Sequence, residues 1–142
     1  LAVDKELYVL ACLYAVTVGL YVFFEIFIIN YRPVVMPGET HPEASFPSSH
    51  TVLIFVIMGS AFQLARKYVK NRGLRFFLRL ICAAVIVVTV GGRLYSGVHW
   101  CTDILGGILL SAVLLFLFGG ILDKFRHAYV PAHYRSSRKN EA

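Results

Sequence analysis

Charge is what this sequence is short of. Only 15% of its 142 residues are Asp, Glu, Lys or Arg, where soluble domains average about a quarter. The shortage is concentrated, because no charged residue occurs from Leu7 to Phe24 or from Ile104 to Leu122. Each run approaches the ~20 apolar residues that carry a helix across ~30 Å of hydrocarbon. One such run could be a buried core helix. Two, with shorter apolar segments between them, exclude an ordinary soluble domain. Cysteine is scarce too, and Cys12, Cys82 and Cys101 form no metal or redox spacing. The topology below puts Cys101 at the membrane face opposite the other two, which excludes a disulfide to it. Cys12 and Cys82 read as small polarizable fillers of helix packing.

Acidic residues are also few, 8 against 14 basic ones, which leaves a formal charge of +6. Such an excess suits a nucleic-acid partner, but here the basic residues cluster beside the apolar segments, as orienting charges do in membrane proteins. Nucleic acid is therefore excluded and the bilayer is the expected partner. The fold class read from this pattern is all-α: a polytopic transmembrane helix bundle with four spans, at roughly 7–30, 50–68, 76–92 and 103–122. Breakers fall between them, with Pro33, Pro37, Gly38, Pro42 and Pro47 in the first connection, Asn71 and Gly73 in the second, and Gly91 and Gly92 in the third. Gly59, Gly106, Gly107, Gly119 and Gly120 would let helices approach closely, as packing in lipid prefers.

Orientation follows from the second connection. From Arg66 to Arg79 it holds six basic residues and no acidic one, and Lys124, Arg126, Arg135, Arg138 and Lys139 follow Leu122. The positive-inside rule makes both cytoplasmic. The chain then reads as a single membrane domain over 1–142, with a basic cytoplasmic tail at 123–142, both ends inside, and the 31–49 and 93–102 connections outside. Residue 1 is Leu rather than Met, and the first apolar run reads as a retained helix rather than a signal peptide.

Ionisable residues without a topological reason collect in those two outer connections. The first brings Arg32, Ser48, Ser49 and His50, the second Arg93, His99 and Asp103. His99 and Asp103 are four apart at the start of a helix and share a face. A carboxylate on one ring nitrogen fixes the tautomer and leaves the other nitrogen free to attack. Arg32 and Arg93 offer planar charged forks that match phosphate oxygens. Ser48 and Ser49 precede a helix whose free N–H groups favour an anion, and His50 in the same turn can protonate a departing oxygen and then deprotonate water. These are the parts of phosphoryl transfer through a covalent intermediate, with no cofactor or metal required. A zinc site from His41, His50, His99 and Asp103 is conceivable, but it leaves two adjacent arginines unexplained. Glu39, His41 and Glu43 read as decoration of a solvated loop.

The sequence resembles the type 2 phosphatidic acid phosphatase superfamily, which also contains vanadium haloperoxidases. Its signature runs Lys-x6-Arg-Pro, Pro-Ser-Gly-His and Ser-Arg-x5-His-x3-Asp. Arg32-Pro33 matches the end of the first part, Pro47-Ser48-Ser49-His50 the second, and Arg93, His99 and Asp103 the third at the family's spacing. The resemblance implies a lipid phosphatase of a bacterial plasma membrane, acting on the extracytoplasmic side. In it His99 is the nucleophile that becomes phosphohistidine, Asp103 orients it, His50 is the general acid, and Arg32, Ser48, Ser49 and Arg93 hold the phosphate. Three positions depart from the signature: Glu25 stands for the lysine, Ser49 for the glycine and Gly92 for the serine. They motivate a second reading, a phospholipid-binding membrane protein with a degenerate site. The family usually has six spans, two of them before the first motif helix; four are read here, so the expectation is that upstream helices lie outside this numbering.

Overall fold

A computed structural model describes residues 4–128. Four helices follow one another: α1 Lys5–Ile26, α2 Ser49–Tyr68, α3 Arg72–Ser96 and α4 Cys101–Ala128. All four are long and apolar enough to cross a membrane, so the all-α transmembrane bundle is what the chain forms. The basic tail expected at 123–142 begins within α4, and 129–142 lies outside the described residues.

Several boundaries differ from the sequence reading, each for a local reason. The first helix stops at Ile26, where Phe27 N caps it on the Phe23 carbonyl at 2.8 Å, and Phe27–Asn30 leave the helix towards the site. The third helix is longer at both ends. Asn71 starts it by accepting from Leu74 N at 3.1 Å, an N-cap that satisfies one orphan donor. It then runs through Gly91 and Gly92, which were expected to interrupt it. In hydrocarbon, a helix is the local way to satisfy the backbone, so a glycine pair alone does not break it. The stop is Gly97, whose φ of 65° lies in the left-handed region that favours glycine.

Helix α2 is the centre of the bundle, packed against α1, α3 and α4. The core joins Leu13 of α1, Val52 and Val56 of α2, and Leu114 and Phe118 of α4. Lipid tails are as apolar as these side chains, so close packing and hydrogen bonds hold the helices together rather than transfer from water. Gly107 lets α4 come within 3.3 Å of the Ser48 carbonyl, measured from where a Cβ would stand. Gln63 Nε2 donates across the interface to the Leu115 carbonyl at 3.0 Å. At the basic end, Lys67 pairs with Glu6 and Tyr68 donates to Asp4 at 3.3 Å. Helix α3 has no fully buried residue.

Gly106 faces the ring of Phe46, and a Cβ there would stand 2.6 Å from the ring's Cζ. Gly106→Ala is expected to cost about 1–3 kcal/mol by overpacking, a fall in Tm of several degrees in detergent. It should also lower activity, because Phe46 leads directly into Pro47–His50. Gly120→Ala, where a Cβ meets nothing within 4 Å, is the control and should leave both unchanged.

Candidate active site

Two connections close one end of the bundle. The longer, 27–48, contains a built pairing: Arg32 N donates to the Glu43 carbonyl at 3.0 Å and Ser45 N to the Asn30 carbonyl at 2.8 Å. They flank an antiparallel bridge between Tyr31 and Ala44. Pro33, Pro37, Gly38 and Pro42 occupy the excursion between the paired residues. The shorter connection, 97–100, is tied to the longer by Trp100 Nε1, which donates to the Tyr31 carbonyl at 2.9 Å. Asp103 joins both. Its side chain is fully buried, and its Oδ2 accepts from Trp100 N at 2.9 Å, the reach-back of an acidic third residue to the helix N-cap. Its Oδ1 takes Asn30 Nδ2 at 3.4 Å, and its carbonyl accepts from Ser48 N at 3.1 Å.

This framework brings His50, Arg93 and His99 together from three parts of the chain. Arg93, in the last turn of α3, points one nitrogen at both rings: Nη2 lies 2.6 Å from His50 Nδ1 and 3.4 Å from His99 Nε2. Guanidinium nitrogens only donate. Both imidazole nitrogens therefore accept, which places the proton of His50 on Nε2 and that of His99 on Nδ1. His99 is buried. Burial, and then the charges of Arg93 and Arg32, hold its pKa below the usual imidazole value despite the opposing pull of Asp103. A neutral His99 with a bare Nε2 follows.

Arg32 is mostly buried and pairs with Glu43 at 3.1 Å. The Nε atoms of Arg32 and Arg93 are both buried with no acceptor among the described residues, so each guanidinium keeps a donor unspent. A cavity of about 450 Å³ opens beside Arg32, while Arg93 stands outside its lining, behind the two histidines it contacts. Arg32, Ser45, Ser49, His50 and His99 line its polar part, together with Glu25 and Glu43, and Leu20, Phe24, Val52 and Leu110 line its apolar part. Ser48 stands behind the wall instead. Its side chain is fully buried and its Oγ accepts from Thr51 at 3.0 Å, so it reaches the site through the backbone bond to Asp103. Among the described residues no group of three or more His, Cys, Asp or Glu is placed to hold a metal ion.

The family model of the PAP2 superfamily matches residues 7–126. The chain belongs to the PAP2 superfamily. Phosphatidylglycerophosphatase B of Bacillus subtilis (strain 168) is 33% identical over 96 residues, which cover 67% of this chain and 47% of that protein. This chain thus spans about half the length of that relative. The crystal structure of the first transmembrane PAP2 type phosphatidylglycerolphosphate phosphatase from Bacillus subtilis has a TM-score of 0.66 and 27% identity, covering 81% of this chain and 58% of that one.

Within this PAP2 fold Asn30, which donates to Asp103, and the contacts of Ser45 and Glu43 escaped the sequence reading. Ser45 is buried, and its Oγ contacts both Asp103 Oδ2 and His99 Nδ1. Its only signal was a polar residue between Ala44 and Phe46, just ahead of the Pro47 turn. Glu43, expected on a solvated loop, is exposed there and also pairs with Arg32 and lines the cavity. Of the departures from the PAP2 signature, Glu25 does face the cavity. Gly92 leaves open the space that a serine would fill, since a Cβ there meets nothing within 4 Å.

Proposed function

We propose that this chain hydrolyses a phosphate monoester or pyrophosphate borne by a lipid, through a phosphohistidine on His99. The observation that carries the reading is the single guanidinium of Arg93 reaching the accepting nitrogens of both histidines. An anion bound by Arg93 and Arg32 would lie against His99 Nε2 and His50 together. The Nε2 lone pair would form the N–P bond as the bond from phosphorus to the lipid oxygen breaks, and His50, protonated on both nitrogens once the bound anion draws Arg93 away from its Nδ1, would give its Nε2 proton to that oxygen and return to the neutral ring. Water would then attack phosphorus, releasing His99, while His50 takes the water's proton. Arginine charge meets the charge that develops on phosphorus, so no metal is required of the substrate complex.

The mixed cavity supports a lipid as carrier: charge at the helix ends for the headgroup, and an apolar wall between α1, α2 and α4 for a chain. The relatives' names make phosphatidylglycerol phosphate the first substrate to try. The basic cluster lies at the end of the bundle opposite the site, and by the positive-inside rule this supports an extracytoplasmic site in a plasma membrane. A phosphate-release panel over phosphatidylglycerol phosphate, phosphatidic acid, diacylglycerol pyrophosphate and a polyprenyl pyrophosphate, run with chelator, tests this. Release from at least one is expected. Binding of these lipids with no release from any would establish the degenerate phospholipid-binding protein instead.

The pH dependence has a definite sign. His99 must be neutral to attack, and its pKa lies below the ordinary 6.5. The acidic limb of kcat/KM should therefore break below pH 6.5, with activity falling only as His99 protonates beneath that point. A break at or above that value would assign the limb to a different group.

A further inference from the structure

The sequence pairs His99 directly with Asp103, but the structure puts a hydroxyl between them. His99 Nδ1 and Asp103 Oδ2 are 3.8 Å apart, beyond hydrogen-bond range. Ser45 Oγ lies 3.3 Å from Nδ1 and in close contact with Oδ2. A hydroxyl has one proton to give, and an ionised carboxylate offers only lone pairs. The Ser45 proton therefore goes to Asp103, and its lone pair faces the ring, which must carry a proton on Nδ1. Arg93 leads to the same tautomer from the other side of the ring, since it can only donate to Nε2.

We propose that Ser45 is the positioning residue of this site, passing the buried charge of Asp103 to His99 and holding the ring with Nε2 bare towards the phosphorus. This rests on the phosphohistidine reading above. Attachment of phosphorus to Nε2 makes the ring a cation. Its Nδ1–H then donates to Ser45 and Ser45 to Asp103, each link strengthened by charge at either end of the chain. The place of Ser45 is set on several sides. Its N–H is held by the Asn30 carbonyl at 2.8 Å, and Asn30 also donates to Asp103. The next residue, Phe46, is seated against Gly106 and stacks edge-on to Phe24 at 5.8 Å. A serine needed only to fill this space could equally be alanine.

Ser45→Ala and Ser45→Thr in the full chain separate the two roles. The alanine variant should lower kcat about 10- to 100-fold, as loss of an orienting partner does, with KM for the lipid within about threefold. The threonine variant, which keeps the hydroxyl, should recover much of the rate. Asp103, Arg93 and Arg32 act on the ring by charge, and Glu43 and His50 line the same cavity; all of these stay in place, and only the hydroxyl that accepts from Nδ1–H when the ring is charged is lost. The acidic limb should therefore move to lower pH in the alanine variant. The 15N spectrum of the His99 ring, read without substrate, should show the Nδ1–H tautomer in the parent and in Ser45→Ala alike, because Arg93 still donates to Nε2; the Nδ1 signal should shift in the alanine variant, which has lost its hydroxyl acceptor, and an unshifted signal overturns the proposal. A folded Ser45→Ala with kcat within about twofold of the parent, or a parent ring protonated on Nε2, overturns the proposal. Absence of phosphate release by the parent would overturn the hydrolase reading alone, since the 15N result still decides the role of Ser45.

Discussion

His99→Ala is expected to remove phosphate release almost completely, by at least about 10^4-fold in kcat, as loss of an attacking nucleophile does in enzymes with covalent intermediates. The size follows from what no neighbour can replace. His50 stands at the same guanidinium, but the nitrogen it turns to Arg93 is Nδ1, and its own proton is the one the leaving oxygen needs. Asp103 has no exposed surface and cannot reach phosphorus. The fold should survive, because the anchors of the two connections, Trp100 to Tyr31 and Asp103 to Trp100 N, do not pass through the imidazole. Two measurements check this: phosphate release, and trapping of labelled phosphate on protein quenched in base, where an N–P bond persists, against acid, where it is lost. The parent should carry the label and His99→Ala should not. A variant with turnover within about tenfold of the parent would show that another group attacks.

The sequence carried the bundle and the residue constellation well, for a physical reason. Spanning helices are written in uncharged length, and site residues in a membrane protein stand out because charge has few other reasons to be there. Arg32, His50, Arg93, His99 and Asp103 could be picked out that way, and they do assemble at one end. What did not show was the pairing of Tyr31 with Ala44. It joins residues 13 positions apart across a proline-rich excursion, and no periodicity announces a single bridge. Ser45 and Asn30 were lost with it, since both enter the site through that pairing. The pairing of Glu43 did not show because its partner, Arg32, becomes a neighbour only once the loop closes. The extension of α3 through Gly91 and Gly92 was hidden for a different reason: glycine's weakness in a helix is calibrated in water, and hydrocarbon changes the alternative.

Arg93 is the second position where a large effect is expected, and the direction of its variants separates charge from shape. Arg93→Ala should lower kcat/KM about 10^3-fold, about 4 kcal/mol of transition-state stabilisation, within the range for removing a fixed donor from developing charge. Arg93→Lys should still lose about 100-fold, because an ammonium keeps the charge but not the planar fork. The fork matters here for two reasons. Nη2 donates at once to His50 Nδ1 and His99 Nε2, so it sets the tautomer of both rings before substrate arrives. Its Nε–H, buried and without an acceptor among the described residues, would gain one if the fork turned towards a bound phosphate. The apolar wall that would hold the lipid chain is formed by other residues, so the loss should fall on kcat more than on KM. Millimolar guanidinium added to Arg93→Ala should restore part of the rate, and the same addition to Arg93→Lys should do little, its site being filled. If Arg93→Lys stays within about threefold of the parent, a point charge is sufficient, and the guanidinium bridge between the two histidines is not what organises the site.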